Sequence, residues 1–242
     1  MAPASRAPSR PAPTGDRRPA LVLDVGGVLL VDPMPTLFAR LAQAGERPRA
    51  ALLAFYRAQL RQGFWDGTLA EDEFWSRLLC AAGLSSTDAR AWRDEVLAWQ
   101  TPLPAVERLT AWAASARILL LSNHRSAWIR PRLAAAGVVL PASGATGDGP
   151  IERALVSEET GLVKPDDVAF EAALAVAGPG TRCLFADDQP PNVARARAVG
   201  LPAVLVEPDG RWMAEVDAWL AGEGVGLSGG PAVPADEATL EP

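Results

Sequence analysis

The segment Ala20-Leu21-Val22-Leu23-Asp24-Val25-Gly26-Gly27 is a short apolar run closed by a carboxylate and a pair of glycines. Unbroken apolar residues predict a strand buried on both faces, and the glycines predict a tight turn after it. The pattern recurs. Arg117-Ile118-Leu119-Leu120-Leu121 runs into Ser122-Asn123, Arg182-Cys183-Leu184-Phe185-Ala186 runs into Asp187-Asp188, and residues 202–206 make a fourth apolar run. Helical periodicity fills residues 105–114, 126–136, 167–177 and 191–199. Buried strands alternating with helices predict an α/β fold, a Rossmann-like parallel sheet sandwiched by helices. Ligands of such sheets bind beyond the carboxyl ends of the strands. Asp24, Ser122, Asp187 and Asp188 all fall there.

The interval between the first two strands is too long for one crossover. Residues 33–101 read as four helices, at 35–44, 50–62, from Thr68 onward, and 87–99. Thr68-Leu69-Ala70-Glu71 has the form of a capping box. Phe74, Trp75, Leu78, Leu79 and Ala82 then make an apolar stripe, as do Trp92, Val96 and Trp99 in the last helix. A helical insertion directly after the first strand stands over the strand ends as a lid. Four of the eight tryptophans lie in it. Trp65, at a turn beside Asp66-Gly67, is the one expected to face a ligand; the others pack the insertion's own core.

The chain has 242 residues and is 49% hydrophobic, enough for a full core. Residues 1–19 and 222–242 are rich in Pro, Ala, Gly and Ser and predict disordered tails. The first tail is Arg-rich but lacks the apolar stretch of a secretory signal. This divides the chain into tails 1–19 and 222–242, a core of 20–32 with 102–221, and an insertion of 33–101. The formal net charge of −6 argues against nucleic acid or an anionic membrane as partner. No apolar run is long enough to span a bilayer. Two distant cysteines and one histidine exclude a disulfide framework and a zinc site, and fit a reducing, cytoplasmic setting. Oligomeric state is not readable.

Four segments carry chemistry: Asp24 before Gly26-Gly27; Ser122-Asn123; Gly161-Leu162-Val163-Lys164-Pro165-Asp166; and Asp187-Asp188-Gln189-Pro190-Pro191-Asn192. Singly, the first three are ordinary turn or surface chemistry. The adjacent carboxylates of the fourth repel each other after a buried strand, and a hard divalent cation such as Mg2+ compensates them.

In this order the segments resemble the haloacid dehalogenase-like (HAD) hydrolase superfamily, over residues 21–207. The stretch from Gly161 to Gly200 is the most specific part, and Gly67 to Trp75 resembles a cap helix of its sugar-phosphatase branch. The resemblance implies that residues 33–101 are a helical cap. It also implies a Mg2+-dependent phosphatase acting on a small phosphorylated metabolite. Asp24 would attack phosphorus and form an aspartyl-phosphate that water hydrolyses. Ser122 would hydrogen-bond a phosphoryl oxygen, and Asn123 would order that loop. Lys164 would neutralise developing charge and screen Asp24 from the acid pair. Asp24, Asp187, Asp188 and the Gly26 carbonyl would hold Mg2+. Gly27 completes the turn beside the phosphate.

One position departs from the pattern. Most phosphatases of the superfamily carry a second Asp two residues after the nucleophile, as general acid and base; here it is Gly26. Such help is worth about 100- to 10,000-fold. The expectation is therefore a preference for good leaving groups, such as sugar 1-phosphates or acyl phosphates, or else a proton from a cap residue, a water, or His124. Two other readings compete. A 2-haloacid dehalogenase would resemble an Asp-x-Tyr start without the acid pair. A phosphate-binding or interaction protein would keep the fold without turnover. A receiver domain also uses Asp, an acid pair and Lys, but its acid pair comes first in the chain.

Overall fold

The computed structural model describes residues 18–223. Residues 1–17 and 224–242, which hold most of the two expected tails, lie outside the described residues. The chain joins the sheet at Pro19, whose carbonyl accepts the Arg117 N–H at 2.8 Å.

Five strands form one parallel sheet: β1 (Ala20–Leu23), β2 (Arg117–Ser122), β3 (Arg153–Val156), β4 (Cys183–Asp187) and β5 (Ala203–Leu205), in the order β3-β2-β1-β4-β5. β1 is central, and its Leu23 pairs with Leu120 of β2 and Ala186 of β4. That register brings Asp24, Ser122 and Asp187 out together at the carboxyl edge.

Alternate residues of each strand feed opposite layers. Leu21, Leu23, Ile118, Leu120, Leu184 and Ala186 face a core shared with α6 (Ala105–Ser115), α7 (Ser126–Ala135) and α11 (Arg211–Leu220). Ala20, Val22, Leu119, Leu121 and Phe185 face the other layer, α9 (Asp167–Ala177) and α10 (Pro190–Ala198). Each fully buried Leu contributes about 1.5–3 kcal/mol, so a strand apolar on both faces is stable only between two helical layers. The Rossmann-like α/β expectation is met.

Residues between β1 and α6 are helical throughout their ordered elements: α1 (Met34–Ala44), α2 (Arg49–Gln59), α3 (Arg61–Trp65), α4 (Glu71–Ala82) and α5 (Ala89–Trp99). They enclose their own core around Phe38, Leu52, Tyr56, Phe64, Phe74, Trp75 and Val96. Trp128 of α7 is built into it, donating its indole N–H to Glu71 at 2.7 Å. Arg125 also ties the two together: its guanidinium donates to the carbonyls of Phe64 and Leu69 and pairs at 3.0 Å with Glu158 of the short helix α8 (Ser157–Thr160).

Three local expectations are corrected. The capping box is absent. Thr68 gives both its N–H and hydroxyl to Asp66, Ala70 occupies the cap position, and the carboxylate of Glu71 serves Trp128 and Arg93. Gly67, at φ +83°, turns the chain so tightly that the local Asp66 acceptor captures Thr68. The helix expected over 50–62 breaks at Leu60 into α2 and α3. Strand β3 was not anticipated: its apolar run is only Ala154-Leu155-Val156, too short between charged flanks to signal a strand.

Candidate active site

Asp24 follows β1 directly and is 7% exposed. One carboxylate oxygen accepts the Val25 N–H at 2.6 Å; the other lies 3.0 Å from Lys164 Nζ. Lys164 is fully buried, and its ammonium also donates to Asp187 at 2.5 Å. Asp187, at the end of β4, is buried as well. It accepts the Gln189 N–H at 2.8 Å and the Asn192 amide at 3.0 and 3.1 Å. One ligand oxygen from each of Asp24, Asp187 and Asp188 lies within 4.8 Å of the other two.

The electrostatics of this cluster are one-sided. Three carboxylates face one ammonium. Burial alone would lower the Lys164 pKa, but the charges of Asp187 and Asp24, with their hydrogen bonds, outweigh it and hold it above the ordinary lysine value. Burial raises Asp187, and Lys164 only partly offsets this. Asp188 is pushed up to about 8 by burial and then by the charges of Asp24 and Asp187, with a further push from Asp32. Asp188 also packs closely against Gly27. A Cβ on Gly27, which sits at φ +71°, would lie 2.3 Å from an Asp188 oxygen, so only glycine admits this approach.

These residues fit a hard cation. The donors are all carboxylate oxygens, crowded to a separation a single ion can bridge, and they carry more negative charge than Lys164 balances. Ser122 adds a second indication. Its hydroxyl, in a residue 2% exposed, has no hydrogen-bond partner. An orphaned buried hydroxyl costs about 1–3 kcal/mol, an expense that a bound oxyanion at the strand ends would remove.

The remaining expected residues are engaged within the protein. Asn123 binds the backbone of Lys164 at both ends: its amide donates to the Lys164 carbonyl at 2.7 Å, and its oxygen accepts the Lys164 N–H at 2.8 Å. It positions the lysine, and its amide is committed there rather than to a ligand. Trp65 is 6% exposed; its indole donates to the Tyr56 hydroxyl at 2.7 Å and packs on Phe64, Trp128 and His124. It is a core residue, contrary to the expectation of a ligand-facing ring. His124 is 4% exposed, and burial followed by the Lys164 charge pushes it down to about 3. Its Nδ1 accepts the Arg125 N–H at 3.1 Å, and its Nε2 lies 3.0 Å from the Gln100 side-chain nitrogen. Both ring nitrogens are thus engaged inside the protein, and burial holds the ring neutral.

Three residues here had no role assigned from the sequence. Asn192 grips Asp187 from the first turn of α10. Arg61 of α3 reaches the Lys164 carbonyl at 3.3 Å. Asp32 lies beside Gly26, its Cβ 3.9 Å from where a Gly26 side chain would begin; burial raises its pKa, against the Met34 N–H that lowers it. Only Asn192 had a sequence signal, its place in the acid-pair segment.

No family profile matches the sequence, and no curated protein matches it. Solved structures do match. A predicted HAD-like family hydrolase from Porphyromonas gingivalis has a TM-score of 0.58 at 21% identity, covering 85% of this chain and 98% of its own. A HAD family enzyme from Bacteroides thetaiotaomicron has a TM-score of 0.61 at 18% identity, covering 82% of this chain and 98% of its own. The same enzyme has also been solved in complex with magnesium and inorganic phosphate. A dehalogenase has a TM-score of 0.56 at 21% identity, covering 81% of this chain and 88% of its own. Among the described residues, no helix is long and apolar enough to cross a membrane.

Proposed function

We propose that this chain, which has the fold of the HAD-like hydrolases, is a Mg2+-dependent phosphatase acting on a small phosphorylated metabolite. The observation that carries this reading is the cluster of Asp24, Asp187 and Asp188 around Lys164, with the unpartnered Ser122 hydroxyl at the neighbouring strand end.

Asp24 is the nucleophile: a carboxylate oxygen forms a bond to phosphorus as the ester oxygen leaves, and water then cleaves the aspartyl-phosphate. Lys164 holds Asp24 in place and meets charge on the phosphoryl oxygens, while Ser122 donates to one of them. Asn123 and Asn192 fix Lys164 and Asp187. Asp24, Asp187, Asp188 and the Gly26 carbonyl are the groups that would hold Mg2+, which neutralises the phosphoryl oxygens when bound. Phosphoryl transfer depends chiefly on such alignment and charge neutralisation. The helices of residues 33–101 act as the cap that selects the substrate, over a core of 20–32 with 102–221.

The acid pair favours this over halide release, since a cation does nothing to expel halide from carbon. Two free cysteines, Cys80 and Cys183, fit a reducing cytoplasm. The test is phosphate release from p-nitrophenyl phosphate with and without Mg2+, beside Asp24→Asn. Mg2+-dependent release abolished by the variant supports the reading. No release from any ester points to a phosphate-binding protein, and metal-independent halide release from a 2-haloacid to a dehalogenase.

A further inference from the structure

Gly26 leaves the proposed phosphatase without the carboxylate that would protonate its leaving group, and the turn after β1 brings another one to the same place. The Gly27 N–H donates to the Leu30 carbonyl at 2.8 Å, the Leu30 N–H to the Val25 carbonyl at 2.9 Å, and Gly26 bridges to Leu30. The chain therefore doubles back, and residue 32 passes beside residue 26. A Cβ built on Gly26 meets only the Cβ of Asp32 within 4 Å, at 3.9 Å. Gly26 is not at positive φ, so the site accepts a side chain and simply lacks one. Asp32 is half-buried between the site and α2, and its charge is felt by both Asp188 and Tyr56. One of its oxygens accepts the Met34 N–H at 2.9 Å at the start of α1, which leaves the other for a ligand.

Resting on the phosphatase reading, we propose that Asp32 is the proton-transfer residue of this site. In the first step its carboxyl gives a proton to the ester oxygen as the P–O bond breaks and the Asp24–P bond forms, so the alcohol leaves neutral. In the second, its carboxylate takes a proton from the water that attacks the aspartyl-phosphate, which restores the acid and frees inorganic phosphate. This relaxes the demand for a good leaving group that Gly26 alone implies, and so extends the substrate class to ordinary alkyl phosphates, with Asp32 placed at the start of α1 and near Asp188.

The test uses the full chain and three proteins: wild type, Asp32→Asn, and Asp32→Asn with Gly26→Asp. Asn keeps the acceptor for Met34 N–H while removing the proton chemistry. Each is assayed on an alkyl phosphate and on acetyl phosphate, whose carboxylate leaving group needs no proton; Mg2+ binding is measured by calorimetry, and phosphorylated chain by intact mass. Asp32→Asn should lose about 100-fold or more on the alkyl ester, bind Mg2+ as wild type does, and accumulate phosphorylated chain from acetyl phosphate. Gly26→Asp should restore alkyl turnover in that background. Asp32→Asn that hydrolyses the alkyl ester at the wild-type rate overturns the inference. So does an equal loss on both substrates with no phosphorylated chain and no rescue. A wild-type chain releasing no phosphate overturns the phosphatase reading instead, and this inference with it.

Discussion

Replacing Lys164 with Met removes the one cation in the carboxylate cluster while keeping the length of its stem. In the wild type, Nζ is buried and lies 2.5 Å from Asp187 and 3.0 Å from Asp24. Met leaves both carboxylates in the interior without a counter-charge, and Asn192 and two backbone amides cannot supply one. Removing one partner of a buried ion pair costs about 3–5 kcal/mol. For a chain of this size each kcal/mol shifts Tm by about 2–4 °C, so the metal-free variant should melt roughly 6–20 °C below wild type at pH 8. The deficit should shrink as pH falls, because a proton on either carboxylate replaces the missing charge. Mg2+ should recover more stability in the variant than in the wild type, since it enters a site with one more uncompensated charge. Differential scanning fluorimetry across pH, with and without Mg2+, measures all three trends. A variant melting within about 2 °C of wild type at pH 8 without metal would show that these charges do not share a dry site, and would refute the reasoning.

Further outcomes follow from the same geometry. Gly27→Ala forces a Cβ to 2.3 Å from Asp188 at a left-handed φ, so it should weaken Mg2+ binding in calorimetry, whereas Gly26→Ala, with its nearest neighbour at 3.9 Å and an ordinary backbone, should bind as wild type does. His124, the single histidine, is pushed down to about 3, so its imidazole resonances should not titrate between pH 5 and 8 by NMR. The linked stability follows in sign: between an unfolded pKa near 6.5 and about 3 the unfolded chain binds a proton the folded one refuses, so stability is complete above that window and falls as pH drops through it. Without metal, Asp188 does the opposite: its folded pKa of about 8 exceeds the carboxylate norm, so its contribution to stability declines as pH rises from about 4 to 8, and Mg2+ should cancel that decline in a thermal melt.

The strands that carry the chemistry were readable because each is a continuous apolar run ending in a polar residue. β1, β2 and β4 needed only that signal, and the adjacency of Asp187 and Asp188 marked the carboxylate cluster on charge grounds alone. β3 was silent because its apolar run is only Ala154-Leu155-Val156, set between Glu152-Arg153 and Ser157-Glu158-Glu159. Thr68 satisfied a sequence rule for a capping box, yet a turn at Gly67 put Asp66 closer to it than the helix was. Trp65 and His124 stood next to turns and looked accessible; only the packing of α2, α3 and α7 shows both rings enclosed. Asp32 could not be found in one dimension. Its nearness to Gly26 comes from the doubled-back chain between Val25 and Leu30, whose hydrogen bonds are backbone and leave no mark in the side-chain pattern.

The proposed phosphatase passes its phosphoryl group through the carboxylate of Asp24. Quenching the chain during turnover of acetyl phosphate with Mg2+, reducing it with borohydride and mapping its peptides by mass tests this most directly, because an aspartyl-phosphate is reduced to the alcohol and an unmodified carboxylate is not. Reduction is expected at residue 24 alone, and only when Mg2+ is present. Phosphate released with residue 24 unreduced, or with the modification on another carboxylate, would contradict it.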